Sequence, residues 1–200
     1  MIERTYKVLT LLFLISFSFQ VYALNQFSAE EKFVKTFSDQ AINILNDEKI
    51  SETEKTKVFT SLVMGSIDLN LISKFVLSKS WKNASDDQKA RYLNAFKTYF
   101  INSYANKLDQ YSGEKIKIVN SEQAGKYVIV DSNIIREGTD TLMINLKWRL
   151  LNREGKIKII DLNIEGISLV IAQREEFQSF LTNNNSDLDK LINQLETINN

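Results

Sequence analysis

The sequence predicts an α+β domain in which helices stand before and after a four-stranded antiparallel sheet. Apolar residues recur at steps of three and four from residue 28 to about residue 108, and again from about residue 168 to the end. Between these blocks, apolar and polar residues alternate, which is typical of strands with one buried face. The chain shows no internal repeat and no linker, so we expect residues 24–200 to form one domain.

Residues 1–23 have the pattern of a secretory signal peptide. Arg4 and Lys7 precede an apolar run over residues 8–19, which is too short to span a bilayer, and Val21 and Ala23 suit cleavage after Ala23. Because the chain has no cysteine, it has neither a site for lipid attachment at the new N-terminus nor a disulfide. We therefore expect a soluble exported protein in the bacterial periplasm.

Three capping boxes predict where the first helices begin. They occupy residues 28–31, 51–54 and 85–88. Behind the first box, Phe33, Phe37 and Ala41 recur at helical spacing, and residues 66–77 are apolar enough for one or two short buried helices. The third box begins the longest helix, predicted to run to about Leu108. Its stripe is aromatic and consists of Tyr92, Phe96, Tyr99, Phe100 and Tyr104.

The four predicted strands lie between residues 116 and 165. The first two cover residues 116–118 and 127–135, and the last two cover residues 142–151 and 156–164. The last two form a hairpin with a tight turn over residues 152–155, in which Gly155 can adopt a positive φ.

This hairpin is predicted to have one apolar and one basic face. If Leu151 pairs with Lys156, the apolar row contains Leu142, Ile144, Leu146, Trp148, Leu150, Ile157 and Ile159. The opposite face then carries Lys147, Arg149, Lys156 and Lys158. Past Asp161 the alternation shifts by one residue, which indicates either that this end of the sheet is covered on both faces or that the strand contains a bulge.

Two helices are predicted after the sheet. The first begins at about Ser168 and carries Ile171, Phe177, Phe180 and Leu181. The second begins at Ser186 and carries Leu188, Leu191, Ile192, Leu195 and Ile198.

The composition excludes several functional classes. The chain contains no histidine and no cysteine, so it has no Ser-His or Cys-His catalytic pair and no His-rich zinc site. We expect no metal and no cofactor. Removing residues 1–23 takes away Glu3, Arg4 and Lys7 and leaves a nearly neutral chain, which argues against nucleic acid as a partner.

Motifs spread over nearly all of residues 24–200 match the pattern of one known family. Phe75-Val76-Leu77 is followed by Trp81 and by SDDQKAR over residues 85–91. The Lys147-Trp148-Arg149 strand precedes the run DLNIEGISLV over residues 161–170, with Arg174 and Phe177 after it. This set resembles the MlaC family of periplasmic phospholipid-binding proteins, also called the toluene-tolerance family. Two positions depart from it: Ser78 stands where many members have glycine, and Ile157 stands where an aromatic residue, often tryptophan, is common.

The resemblance implies a fold that is NTF2-like in outline, with an apolar lipid cavity between the sheet and its helices. It also implies a carrier that moves diacyl phospholipid between an outer-membrane lipoprotein–porin complex and an inner-membrane ABC transporter with an MCE subunit, and that contacts membranes transiently through these partners. Such a system maintains outer-membrane lipid asymmetry. The implied lipid-binding residues are Phe75, Val76, Phe96, Phe100, Tyr104, Val128, Val130, Ile144, Leu146, Trp148, Ile157, Ile159 and Leu169.

Without the resemblance, several of these features have ordinary explanations. The same apolar stripes are more often a solid core than a cavity. The basic row Lys147, Arg149, Lys156 and Lys158 is either a docking site for an acidic partner or a solvated sheet face. Asp161 and Glu165 are either a catalytic carboxylate pair acting on lipid or, as we prefer, structural anchors. The alternative binding function is a periplasmic holdase that takes up apolar peptide segments.

Overall fold

The computed structural model describes residues 28–105, 114–136, 138 and 141–198. The predicted signal peptide therefore lies outside the described residues. Within these residues, five helices precede the sheet: α1 Ser28–Leu45, α2 Glu52–Ser66, α3 Leu69–Leu77, α4 Lys79–Asn83 and α5 Asp86–Ala105. The strands are β1 Glu114–Ala124, β2 Tyr127–Arg136, β3 Leu142–Arg153, β4 Lys156–Ile164 and β5 Ile167–Ser168. Two helices follow them: α6 Leu169–Asn183 and α7 Leu188–Ile198.

The sheet is an antiparallel meander in the order β1-β2-β3-β4-β5. The predicted α+β class and its four antiparallel strands are confirmed, and the short strand β5 is added to them. It forms because Glu165 and Gly166 both adopt positive φ, at 50° and 88°, which turns the chain back so that Ile167 pairs with Ile164.

The β3–β4 hairpin has a different register from the predicted one. Leu151 pairs with Lys158 rather than with Lys156, and Arg153 pairs with Lys156. The loop has only two residues, Glu154 and Gly155, with φ of 53° and 80°, a geometry that matches the twist of the flanking strands. The predicted register was wrong by two residues. Because side chains alternate with a period of two, residues 144–151 and 156–159 still lie on the predicted faces. Leu142 was predicted in the apolar row, but it pairs with Ile135 beyond a second register shift and is 57% exposed.

A bulge in β4 explains the shift in alternation past Asp161. Arg149 pairs with Asp161 and Leu150 pairs with Ile159, so Ile160 is an extra residue in β4. The bulge returns the next apolar side chains to the inner face, where Leu162 lies opposite Trp148. The two explanations that the sequence allowed do not exclude each other, since the bulge is present and the consecutive residues Ile159, Ile160 and Asp161 are all buried.

Side-chain caps fix the beginnings of several helices. At α5 the capping box is complete: the Gln88 amide N–H donates to Ser85 Oγ at 3.1 Å, and the Ser85 amide N–H donates to Gln88 Oε1 at 3.1 Å. Ser51 Oγ accepts from the amide of Glu54 at 3.3 Å. The last helix begins at Leu188, two residues later than predicted, and the short helix α4 was not predicted.

The solid core lies where α5 packs against α6 and α7. Phe177 of α6 contacts Tyr92, Phe96 and Tyr99 of α5 with ring centroids 5.9 to 6.5 Å apart. The Tyr92 hydroxyl donates to the Ser73 carbonyl at 3.0 Å, and burial raises the pKa of Tyr92. From α7, the buried side chains are Leu188, Leu191, Ile192 and Leu195.

Ser78 adopts a backbone conformation that suits glycine. It joins α3 to α4 with φ 57° and ψ −124°, and its side chain makes no capping hydrogen bond. We expect Ser78→Gly to raise the free energy of unfolding by about 1 kcal/mol, because relief of strain exceeds the extra entropy of glycine in the unfolded chain. Urea denaturation measures this.

Ser80 provides the matched control for this substitution. It lies within α4, where glycine is unfavourable, so Ser80→Gly is expected to cost about 0.5–1 kcal/mol. A Ser78→Gly protein that is less stable than the natural one contradicts the interpretation.

Candidate functional site

A cavity of about 460 Å³ lies between the inner face of the sheet and the surrounding helices. This volume falls within the range of small-molecule pockets. The helical side of the lining consists of Phe37, Ser38, Ala41, Ile42, Leu45, Phe59, Val63, Ile67, Ile72, Val76, Phe100, Leu169, Val170 and Gln173. The sheet contributes Glu114, Lys115, Ile116, Ile134, Ile144, Leu146, Trp148, Ile159, Asp161, Leu162 and Ile164. The lining is thus mostly aliphatic and aromatic.

The cavity has a polar end and a closed end. The polar end lies where β1 begins, at Glu114 and Lys115. Trp148 and Phe37 line the other end. Beyond them the fully buried side chains of Val34, Val130 and Leu150 fill the space between α1 and the sheet. We call the first end the mouth and the second end the floor.

The indole of Trp148 is held in a fixed orientation. Its Nε1–H donates to Ser132 Oγ at 2.8 Å, and Ser132 is fully buried. The Phe37 ring meets the indole edge-on, with centroids 5.7 Å apart and an interplanar angle of 73°. The polar atom of the indole is therefore satisfied within the sheet, and the ring contributes apolar surface to the cavity.

Seven of the thirteen predicted lipid-binding residues come together in this lining. They are Val76, Phe100, Ile144, Leu146, Trp148, Ile159 and Leu169.

The other six residues lie elsewhere. Phe96 is in the solid core, 5.6 Å from Tyr92 between ring centroids. Val128 and Val130 are buried beyond the floor, and Ile157 packs against the core without lining the cavity. Phe75 is 44% exposed and lies beneath the Arg174 guanidinium, 4.8 Å from its ring centroid. The side chain of Tyr104 lies outside the described residues.

The sequence interpretation omitted the contribution of α1 and of the strand ends. From α1 the lining includes Ser38, Ala41 and Leu45, at steps of three and four along one face. The same periodicity was visible in the sequence, but it does not distinguish a helix that covers a cavity from one that covers a core. Leu162 and Ile164 were missed because the bulge at Ile160 reverses their face.

The basic row lies on the outer face of the β3–β4 hairpin, opposite the cavity. Lys147 Nζ lies 3.8 Å from Asp131 Oδ2, and the Arg149 guanidinium lies 4.0 Å from Asp161 Oδ2. Lys158 Nζ donates to the carbonyl of Gly65, and Lys156 is exposed. Partner docking by this row stays a prediction.

Asp161 and Glu165 do not form a carboxylate pair. Asp161 is 5% exposed and anchors the start of α6, accepting from Ser168 Oγ at 2.7 Å and from the Val170 amide at 3.2 Å. Glu165 lies in the turn after β4, and its carboxylate accepts from the backbone amide of Asn145. Both groups thus hold backbone in place.

Comparison with known proteins decides the family. The model of the family described as "MlaC protein" matches residues 35–197, which is most of the chain. The chain belongs to the MlaC family. Among curated relatives, it is 26% identical over 178 residues to the intermembrane phospholipid transport system binding protein MlaC of Haemophilus influenzae, covering 88% of this chain and 80% of that protein.

Two further comparisons agree with membership in the MlaC family. The toluene tolerance protein ttg2D of Pseudomonas putida is 25% identical over 128 residues, and the match covers 63% of this chain and 59% of that protein. The solved structure of a phospholipid-binding protein from Ralstonia solanacearum, in complex with a phospholipid, superposes with a TM-score of 0.72. That match covers 84% of this chain and 95% of the solved chain at 18% identity, so it shows a shared fold.

Two negative findings apply to the described part of this MlaC-family chain. Within residues 28–105 and 114–198, apart from the gaps named above, no helix is both long and apolar enough to cross a membrane. Across the same residues, acidic side chains do not gather in a group of three or more that could hold a metal ion.

Proposed function

We propose that this MlaC-family protein is a soluble periplasmic carrier that holds a diacyl phospholipid by its tails and moves it between the outer and inner membranes. The observation that carries the proposal is the apolar cavity of about 460 Å³ beneath α1, where most domains of this size are packed solid. The head group remains at the mouth, where β1 begins.

The apolar character of the lining follows from the energetics of transfer. Burial of one methylene is worth about 0.8 kcal/mol, so two chains of roughly sixteen carbons represent on the order of 25 kcal/mol relative to water. A carrier must offer the chains an environment comparable to the bilayer interior. Because Leu146, Trp148 and Ile159 are apolar, the net free energy of exchange is small, and a partner can bias handover in one direction.

We also propose a cellular compartment and partners for this carrier. Residues 1–23 direct export and are removed after Ala23, and the mature protein stays in the periplasm. It exchanges lipid with an inner-membrane ABC transporter that has an MCE subunit and with an outer-membrane lipoprotein–porin complex. This exchange contributes to outer-membrane lipid asymmetry.

The outer face of the hairpin is our candidate for partner docking. Lys147 is half-exposed and Lys156 is exposed, and both project away from the cavity. An acidic surface on a partner can therefore approach them without closing the mouth.

The same geometry argues for a binding protein rather than an enzyme. An enzyme acting on lipid through Asp161 and Glu165 needs both carboxylates beside the substrate. Here Asp161 accepts from the backbone amide of Val170 at the start of α6, and Glu165 accepts from the backbone amide of Asn145 in β3.

Native mass spectrometry of the protein purified from the periplasm of expressing cells tests the proposal. A carrier retains about one diacyl phospholipid per chain, because the tails are sequestered from water. A holdase retains no lipid and instead binds unfolded client proteins. Purified protein that is free of lipid, and that takes up none from vesicles, contradicts the proposal.

A further inference from the structure

A basic and aromatic surface covers the outside of α3, α4 and the adjoining part of α6. We call it the α3–α4 surface, and its members are Lys74, Phe75, Lys79, Trp81, Lys82 and Arg174. The Arg174 guanidinium lies 4.8 Å from the centroid of the Phe75 ring, and the Lys74 ammonium lies 5.2 Å from the centroid of the Trp81 ring. Because Lys74 and Phe75 are neighbours in α3, these contacts join the three helices in one continuous surface.

The α3–α4 surface faces solvent rather than the cavity. Its three lysines are exposed, Phe75 is 44% exposed and Trp81 is half-buried. All six members lie outside the cavity lining described above. Binding of lipid tails in the cavity therefore does not explain why aromatic rings and cations gather at this place.

The positive charges of this surface are not neutralised by nearby carboxylates. Residues 69–85 contain neither aspartate nor glutamate. Elsewhere, exposed lysines pair within their own helix, as Lys35 does with Asp39 at 2.8 Å. Among the residues that the structure describes, no carboxylate forms an ion pair with the three lysines or the arginine of the α3–α4 surface.

The acidic residues at the borders of this stretch are already engaged. Asp68 Oδ2 lies 3.7 Å from the Arg153 guanidinium, and Asp86 Oδ1 lies 3.4 Å from Lys89 Nζ. On α6, the exposed Glu175 limits the surface. The chain has a formal net charge of +0, so the α3–α4 surface is a local excess of positive charge on a neutral protein.

We propose that the α3–α4 surface docks this protein directly onto the head groups of a bilayer that contains anionic phospholipid. Each lysine or arginine near such a bilayer is attracted by its negative surface potential. An indole is favoured at the level of the head groups. The contact stays at this level, because the Arg174 guanidinium covers the Phe75 ring and the ammonium groups of Lys74 and Lys89 lie over the Trp81 ring.

This contact goes beyond the proposed carrier function, in which the protein meets membranes through protein partners. It uses a surface other than the outer face of the hairpin, and it does not depend on lipid in the cavity. Docking on the bilayer concentrates the carrier at the membrane where handover takes place.

Sedimentation with vesicles tests the docking. The purified protein is mixed with vesicles of phosphatidylglycerol and phosphatidylcholine in equal amounts, or of phosphatidylcholine alone, and the bound fraction is measured at several salt concentrations. We expect binding to the anionic vesicles that weakens as salt is added, since salt screens exposed charges. We expect no binding to the neutral vesicles.

A pair of charge variants locates the contact. Lys79→Gln combined with Lys82→Gln is expected to lower the partition onto anionic vesicles about 25-fold, as for two lost basic contacts. The control is Lys32→Gln combined with Lys126→Gln, which removes the same charge from α1 and from the turn between β1 and β2. Both control lysines are exposed, and Lys126 also lies over an aromatic ring, 5.3 Å from the centroid of Tyr127. The control protein is expected to keep the natural affinity.

No binding to anionic vesicles, equal binding to both kinds of vesicle, or an equal loss in both double variants overturns the membrane contact. Binding to soluble poly-glutamate without binding to vesicles also overturns it, and assigns the surface to an acidic protein instead. Native mass spectrometry of the same samples tests the carrier function separately. A protein that retains phospholipid but does not sediment with vesicles is still a carrier without this docking surface.

Discussion

Replacing Ala41 by tryptophan is expected to lower the amount of co-purifying phospholipid at least tenfold without destabilising the protein. Ala41 lies on the cavity face of α1, one turn from Phe37 and one turn from Leu45. An indole at this position occupies space that acyl chains need. Filling a void adds apolar contacts, so the free energy of unfolding is expected to stay the same or rise by about 0.5–2 kcal/mol.

The stability measurement separates a cavity from a tightly packed core. In a packed core the same substitution inserts a large ring where no room exists, which costs typically 1–3 kcal/mol. Ala90→Trp on the exposed face of α5 is the control, and it is expected to leave both lipid content and stability unchanged. A destabilised Ala41→Trp protein that still carries its lipid would contradict the claim that Ala41 borders a lipid-binding cavity.

Replacing Asp161 by alanine is expected to lower the free energy of unfolding by about 3 kcal/mol. The buried carboxylate accepts from Ser168 Oγ and from the Val170 amide, and both donors lose their partner. Because Leu169 and Val170 line the cavity, loosening the start of α6 also lowers lipid retention. Urea denaturation and the lipid content of the purified protein measure the two effects.

A surface carboxylate provides the comparison. Asp39 forms an exposed ion pair with Lys35 at 2.8 Å, so Asp39→Ala is expected to change stability by less than about 0.5 kcal/mol. Loss of an enzymatic activity on lipid in Asp161→Ala, with stability preserved, would support the catalytic alternative instead.

The faces of the strands could be predicted from the sequence even where the register could not. The period of two assigns Leu146 and Trp148 to one face and Lys147 and Arg149 to the other, and this assignment does not depend on the register of the partner strand. The pairing of Leu151 depends on the length of the turn, so a two-residue error arose there without moving any side chain to the wrong face. The bulge at Ile160 was indicated by broken alternation, but its position became definite only from the strand pairing.

The boundary between cavity and core could not be predicted from the sequence. Phe96 and Phe100 stand one turn apart on the same aromatic stripe of α5, and their local patterns are equivalent. Phe96 packs against Phe177 in the solid core, whereas Phe100 lines the cavity. What distinguishes them is the position of α6 and α7, which cover only part of α5. The different surroundings of Phe96 and Phe100 depend on tertiary packing, so they cannot be predicted from the periodicity of α5.

The central claim, that acyl chains occupy the space beside Trp148, can be tested directly by fluorescence quenching with phospholipids brominated on their acyl chains. The chain has only two tryptophans, and Trp81 lies outside the cavity lining, between Lys74 and Lys89. Trp81→Phe therefore leaves Trp148 as the only tryptophan, and Trp148→Phe leaves Trp81 as the control. We predict that brominated lipid strongly quenches the Trp81→Phe protein and leaves the Trp148→Phe protein nearly unchanged. Equal quenching of both, or quenching of neither when lipid is bound, would contradict the account.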